Sequence, residues 1–291
     1  MDGIIDMDIP KKEFVILCDG GLGNRIGLML GGIVIARSLD MEPVLCWPSN
    51  TWCGCLLEDL YSTKLKVLTH GIRELFEIKK DHTFMIHANQ TGVIFKNEVP
   101  LSPEGVETIR RNNVNVVYFN DKVPSFIDNA VATKILDEFP VNNEVFNRAV
   151  EFCCHNGINN NVMGIHIRKT DGFQRINEAN LIKYIVNHQG IKVFVCSDDK
   201  ETEDKFKALP GVVTFPKTEY PEKLEPGDWN KETVDADGRK FLCNVKRSRT
   251  SIVEAFIDLL ILSNTTISHG SSSTFFQLAK RYEHRRRTIC R

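Results

Sequence analysis

Residues 164–171 read Gly-Ile-His-Ile-Arg-Lys-Thr-Asp. They continue an apolar run that begins at Val162 and ends in an arginine, a lysine and a carboxylate. A short apolar run after a polar break reads as a buried parallel strand. In open α/β sheets, ligands bind just beyond the carboxyl ends of such strands. A strand that ends in His166, Arg168 and Asp171 therefore reads as the lip of a site for an anion. The plainest alternative is a strand end with solvated charges. His166 and Arg168 alternate, so they share one face. The planar fork of Arg168 suits the paired oxygens of a diphosphate.

Outward from this stretch, strand and helix alternate to both ends. On the N-terminal side the pattern predicts strands over 14–18, 43–47, 65–68, 83–87 and 114–119. Helices are expected over 26–39, 102–111, 130–138 and 142–155, the first with small residues (Gly27, Gly31, Gly32, Ala36) that permit close packing on a sheet. Asn-Gly-Ile-Asn-Asn-Asn at 156–161 is a polar break and marks a domain boundary. Beyond it come strand 162–167, helix 177–188, strand 191–196, helix 200–208 and strand 212–215, then helix 250–262, strand 265–268 and a last helix from 274. Residues 216–247 are rich in proline, glycine and charge, and read as a long excursion or mobile loop. The expected fold class is α/β, with two Rossmann-like doubly wound domains (1–156 and 157–291) facing across a cleft. The last helix is expected to pack back on the first domain.

Composition narrows the function. The chain has 291 residues, 42% hydrophobic and 26% charged, enough apolar material for substantial cores. A net charge of −1 gives no global attraction to nucleic acid or an anionic membrane. The basic cluster Lys280, Arg281, Arg285, Arg286, Arg287 and Arg291 reads as a solvated helix face, with contact to an anionic acceptor or membrane as the rarer alternative. The acidic start lacks the basic and apolar regions of a signal peptide. Nine cysteines are scattered, several inside strands (Cys18, Cys46, Cys196), and none has zinc-site spacing. The expectation is a cytoplasmic protein with reduced thiols, no metal and no firm membrane association.

Three further constellations carry chemistry. Asp19-Gly-Gly-Leu-Gly-Asn-Arg-Ile26 joins a strand to a helix through a glycine turn, the shape that offers backbone amides to an anion. It fails as a dinucleotide fingerprint, because the third glycine position is Ile26 and no acidic residue ends the next strand. Asn24 and Arg25 are expected to face the cleft; the alternative is Asn24 as a helix cap. Gly270-Ser-Ser-Ser-Thr-Phe275 precedes the last helix and forms either an anion nest or an ordinary cap by Ser272 or Ser273. Glu254 and Asp258, four apart on a strongly apolar helix, share a face. A carboxylate there can accept the N–H groups on one edge of guanine, by the geometry that lets Asp or Glu accept from a base amine. The alternative is a solvated face paired with Arg247 or Arg249.

Together these stretches resemble the fucosyltransferase superfamily of α1,6-fucosyltransferases, nodulation fucosyltransferases and protein O-fucosyltransferases. Gly-Gly-Leu-Gly-Asn-Arg (20–25) looks like its N-terminal glycine loop, and His-Ile-Arg-Lys-Thr-Asp (166–171) is similar to the His-x-Arg-Arg-Thr-Asp motif of the α1,6 enzymes. The segment from Glu254 to Ser263, followed by Ser271-Ser-Ser-Thr-Phe275, resembles the helix, strand and turn near the end of the donor domain. Val193 to Asp199 fits the strand between them. The resemblance implies a GT-B fold, a glycosyltransferase using GDP-fucose or a related GDP-sugar, inversion at the sugar carbon, no metal or other cofactor, and a glycan acceptor. Residues 1–156 would be the acceptor side and 157–291 the donor domain. It implies that Arg168 binds the diphosphate, that His166 lines the nucleotide pocket and that Asp258 reads guanine. Ser272, Ser273 and Thr274 would meet phosphate, with Gly21, Gly23, Asn24 and Arg25 reaching across from the first half.

Chemically, departure of GDP develops charge on phosphate oxygen that Arg168 and the amides of the serine turn would stabilise. Asp171 and Glu178 are the candidates to take the acceptor's proton. Two departures from the family pattern stand out. The position equivalent to the α1,6 enzymes' glutamate is Ile176, so Glu178 fits only with a two-residue shift, and Lys169 replaces the second arginine. A non-catalytic sugar-nucleotide or glycan-binding module of the same fold is the competing reading. A nicotinamide oxidoreductase is disfavoured by the failed glycine spacing.

Overall fold

The computed structural model describes residues 12–69, 83–86, 98–99, 102–111, 116–119, 129–170, 177–188, 190–234, 240–270 and 273–283. Asp171, Ile176, Ser271, Ser272 and the basic residues from Arg285 onward lie outside them.

The N-terminal half builds one parallel sheet from β1 (Glu13–Leu17), β2 (Glu42–Cys46), β3 (Lys66–Leu68), β4 (Thr83–Ile86), β5 (Glu98–Val99) and β6 (Val116–Phe119), in the order β3-β2-β1-β6-β4-β5. Its helices are α1 (Leu22–Ser38), α2 (Pro103–Arg111), α3 (Asn129–Ile135) and α4 (Asn143–Asn156). The second half places β7 (Met163–Ile167), β8 (Val193–Ser197), β9 (Val212–Val213) and β12 (Thr266–Gly270) in a parallel sheet ordered β12-β7-β8-β9. Here α5 (Glu178–Asn187) and α6 (Lys200–Lys207) are the crossovers between β7, β8 and β9. α7 (Arg249–Ser263) precedes β12, and α8 (Thr274–Glu283) follows it.

The expected alternation is therefore present, with most bounds within two residues. The strand expected over 212–215 stops at Val213. The excursion after it carries an antiparallel hairpin, β10 (Glu232–Val234) and β11 (Lys240–Leu242). It is also tied down internally: the Asn244 side chain accepts from Glu225 N (2.9 Å) and donates to the carbonyls of Glu225 (2.8 Å) and Asp228 (3.1 Å).

One apolar core runs through both halves. α4 sets Phe152 edge-on to Phe194 (6.1 Å) and Phe215 (5.4 Å) of the second half. Tyr61 packs edge-on to Phe256 (5.0 Å), and its hydroxyl meets that of Tyr282 on α8 at 2.5 Å. Phe194 and Phe256, fully buried, each contribute roughly 1.5–3 kcal/mol by burial. Both α1 and α7 are buried around most of their circumference, as helices enclosed by other elements must be. On α1, a Cβ at Gly32 would sit 2.6 Å from Ile16 Cγ1, so the glycine brings helix and sheet together. The described cysteines are free thiols, mostly buried, and among the described residues no helix is long and apolar enough to cross a membrane.

In each sheet the strand order reverses beside the first strand of that half: β1 lies between β2 and β6, and β7 lies between β8 and β12. Such reversals open a crevice at the carboxyl ends of the strands.

Candidate donor site

Loops from both crevices line one cleft, open to solvent. Gly21 to Asn24 follow β1, His166 and Arg168 belong to the end of β7, Ser197 and Asp198 end β8, and Thr274 and Phe275 begin α8. Glycine permits the meeting. A Cβ at Gly23 would lie 2.6 Å from Phe275 N and 2.8 Å from Thr274 Oγ1, so the first turns of α1 and α8 touch at this point. Two helix N-termini, each carrying partial positive charge, thereby share a wall.

The loop after β7 is held by Asp198. Its carboxylate accepts from Lys169 N (2.7 Å) and from the backbone N–H (3.3 Å) and hydroxyl of Thr170. Arg168 Nε donates to Thr170 O at 3.3 Å, which curls the side chain over its own loop. His166 is buried and stacks on Phe275 at 4.7 Å. Burial, then the charges of Arg168 and Lys217, pull its pKa down to about 3, so the ring is neutral. Its Nδ1 has no hydrogen-bond partner among the described residues.

The floor of the cleft is ionic. Asp258 and Glu254 lie on α7, whose burial removes both carboxylates from water. Glu254 accepts from the backbone of Thr218 (2.7 Å) and Glu219 (3.1 Å), from the Thr218 hydroxyl (3.0 Å) and from Arg148 (3.3 Å). Asp258 Oδ2 accepts from Lys217 Nζ at 2.7 Å, and the same ammonium donates to Ser197 O (2.5 Å) and to Glu203. Glu203 also accepts from Tyr220 (2.5 Å) and from Ser197 N (2.7 Å). Burial pushes Asp258 up to about 7, with Glu203 adding to the rise and Lys217 opposing it. Burial disfavours the Lys217 charge, but Asp258 and Glu203 outweigh it and hold its pKa above the usual lysine range. Asp258 Oδ1, buried at the cleft, has no partner among the described residues.

The structure brings together Gly21, Gly23, Asn24, His166, Arg168, Asp258 and Thr274. Asn24 is exposed, and α1 is capped by Gly21 without a side-chain bond, so Asn24 is not the cap. Arg25 is a correction. It points away from the cleft, is 0% exposed, and donates to Gly20 O (2.8 Å), Pro48 O (2.5 Å) and Asn50 Oδ1 (2.8 Å) beneath the Trp47 ring. Its role is to brace the glycine loop. Ser273 follows the capping alternative: its Oγ accepts from Phe276 N at 3.2 Å.

Glu178 also departs from expectation. It is not among the residues lining the cleft, and it accepts from Lys169 (2.5 Å) and Lys205 (2.8 Å). Those two hydrogen bonds, Lys169 first, lower its pKa, which opposes proton uptake. The solvated pairing considered for Glu254 and Asp258 does not form, since Arg249 binds Asp59 (2.6 Å) and Arg247 reaches Thr170 Oγ1 (3.5 Å).

Sequence reasoning missed Lys217, Tyr220 and Arg247, all of which the excursion 216–247 brings into the cleft. One signal was available for Lys217. A helix apolar on every side buries its carboxylates, and buried carboxylates require a cation or N–H donors from elsewhere. Among the described residues, no group of three His, Cys, Asp or Glu side chains is placed to hold a metal ion.

No family model and no curated protein sequence matches the chain. Solved structures do. NodZ α-1,6-fucosyltransferase co-crystallised with GDP superposes with a TM-score of 0.57 at 12% identity, covering 93% of this chain and 92% of that one. Fucosyltransferase NodZ from Bradyrhizobium gives 0.57 at 12% identity, with 93% of each chain covered. POFUT1 in complex with GDP gives 0.54 at 14% identity over 96% of this chain and 97% of that one. The chain has the fold of these fucosyltransferases. The fucosyltransferase fold thus spans nearly the whole sequence, and its parallel sheets account for the two crevices described above.

Proposed function

We propose that the cleft binds a GDP-sugar, GDP-fucose or a related GDP-deoxyhexose, and that the protein transfers the sugar to a glycan hydroxyl. The transfer inverts the sugar carbon and needs no metal. Residues 1–156 form the acceptor-side domain and 157–291 the donor domain of a GT-B enzyme. One observation carries the reading: in a single cleft, two buried hydrogen-bonding atoms, Asp258 Oδ1 and His166 Nδ1, have no partner among the described residues. Unsatisfied buried polar atoms are costly, and a ligand that completes them is favoured. Asp258 Oδ1 accepts from the N–H edge of guanine, with Lys217 fixing the other oxygen. Arg168 and the first turns of α1 and α8 meet the diphosphate, where negative charge grows as GDP leaves. Asp171 is the proposed proton acceptor.

A non-catalytic module of the same fold is the second reading, favoured by the two lysines on Glu178. Calorimetry with GDP, UDP and ADP, with and without EDTA, tests the donor. Preference for UDP, or binding only with a divalent ion, sinks the proposal. Hydrolysis of GDP-fucose, or transfer to any glycan on an array, excludes the non-catalytic module.

A further inference from the structure

Resting on the GDP-sugar reading, we infer that Arg247 is a second diphosphate-binding arginine, supplied by the excursion rather than by the β7 motif. Lys169, the cation next to Arg168 in sequence, is turned to Glu178 (2.5 Å) and is not among the cleft-lining residues. Arg247 does line the cleft. Its Nη2 lies 3.5 Å from Thr170 Oγ1, two residues beyond Arg168, and its Nη1 lies 3.8 Å from where a Cβ on Gly21 would sit. The guanidinium therefore spans the gap between the β7 loop and the N-cap of α1. Those are the two edges where an anion gains most from arginine and helix N-terminus together.

The mount of this side chain is stiff. Arg247 N donates to Thr51 O (2.7 Å), and Gly54 N donates to Arg247 O (3.0 Å). A Cβ at Gly54 would lie 2.5 Å from Arg247 O, so the 51–54 segment closes on it only because residue 54 is glycine. On the preceding residue, Lys246 exchanges backbone bonds with Glu222 at 2.7 and 2.9 Å. A long side chain on a fixed backbone loses less freedom when it binds, and its fork engages two phosphate oxygens in parallel. The bonds of this mount are main-chain.

The test is binding of GDP, GMP and guanosine to the wild type, Arg247→Gln and Arg247→Lys, with thermal unfolding of each. We expect Arg247→Gln to lose about ten- to a hundredfold in GDP affinity and to keep its guanosine affinity. Arg247→Lys should recover only part of the loss, because the fork is gone. Wild type that binds GDP, with Arg247→Gln matching it, overturns this inference alone. So does an equal loss for guanosine and GDP, or a fall in unfolding temperature shared by both variants, since either marks a structural residue. Wild type that binds no GDP overturns the donor reading and this inference with it.

Discussion

Lys217→Met tests the ionic floor of the cleft. In the wild type, one ammonium, 4% exposed, sits between the carboxylates of Asp258 and Glu203. Methionine keeps most of the stem and removes the charge. Two buried carboxylates then lose their cation, and breaking a buried pair from one side costs about 3–5 kcal/mol. That is a large part of the roughly 5–15 kcal/mol that holds a domain folded. The sign with pH follows from proton binding. Burial already raises Asp258 to about 7, and loss of Lys217 raises it further, so the folded state keeps a proton that the unfolded chain releases. Stability of the variant therefore falls as pH rises from about 4 through neutrality, and the deficit is smallest in acid. Urea unfolding followed at about pH 5.5 and about pH 8 reads this directly. We expect the full deficit at the higher pH, a smaller one at the lower, and partial recovery in Lys217→Met/Asp258→Asn, which removes one of the stranded charges. A variant within about 1 kcal/mol of wild type at the higher pH, or a deficit independent of pH, would refute the reasoning.

Gly23→Ala places a methyl 2.6 Å from Phe275 N, where main chain cannot give way. We expect about 1–3 kcal/mol of destabilisation in urea unfolding and a matching loss of GDP binding; unchanged behaviour in both assays shows that the two helix ends need not touch. Glu178→Gln removes two ion pairs whose lysines are 42% and 53% exposed, each worth about 0–1 kcal/mol. GDP-fucose hydrolysis or transfer should stay within an order of magnitude of wild type. A fall of about 10²–10⁴ in a folded variant would return Glu178 to the role of base.

The sheets were legible because each strand is a short apolar run with a polar or glycine break after it, and parallel strands buried on both faces require that pattern. Gly23, Asn24, His166, Arg168 and Thr274 were legible for a related reason: they fall at strand ends or helix starts, and chain order alone puts them at carboxyl edges; Asp258, in the interior of α7, was legible instead as a carboxylate four residues from Glu254 on a strongly apolar helix. Arg25 was misread because a polar residue beside a glycine turn looks the same whether it faces the cleft or braces the loop from beneath. Only the carbonyls of Gly20 and Pro48, which are close in space, distinguish the two. Ser273 was ambiguous in the same way, since capping and anion binding use the same residue types. Lys217, Tyr220 and Arg247 were hidden in a segment without periodicity, where side-chain position is set by long-range contacts rather than by local pattern.

The contacts that bring the two ends of the excursion to the cleft begin with α7. α7 is too apolar to lie at the surface, so Glu254 and Asp258 are carried into the interior with it. Spaced four apart, they present two acceptors one above the other on the same face. The interior then demands donors, and the excursion provides them at consecutive positions: Lys217 for Asp258, and the Thr218 and Glu219 amides for Glu254. This double anchor fixes the start of the excursion against the floor of the cleft, while the backbone bonds of Arg247 to Thr51 and Gly54 fix its end against the other half. Both ends of this segment are thus held, by charge burial and by main-chain pairing, at the cleft that Lys217, Tyr220 and Arg247 line. Of the four carboxylate oxygens on Glu254 and Asp258, only Asp258 Oδ1 is left without a partner among the described residues. Asp258 itself lines the cleft.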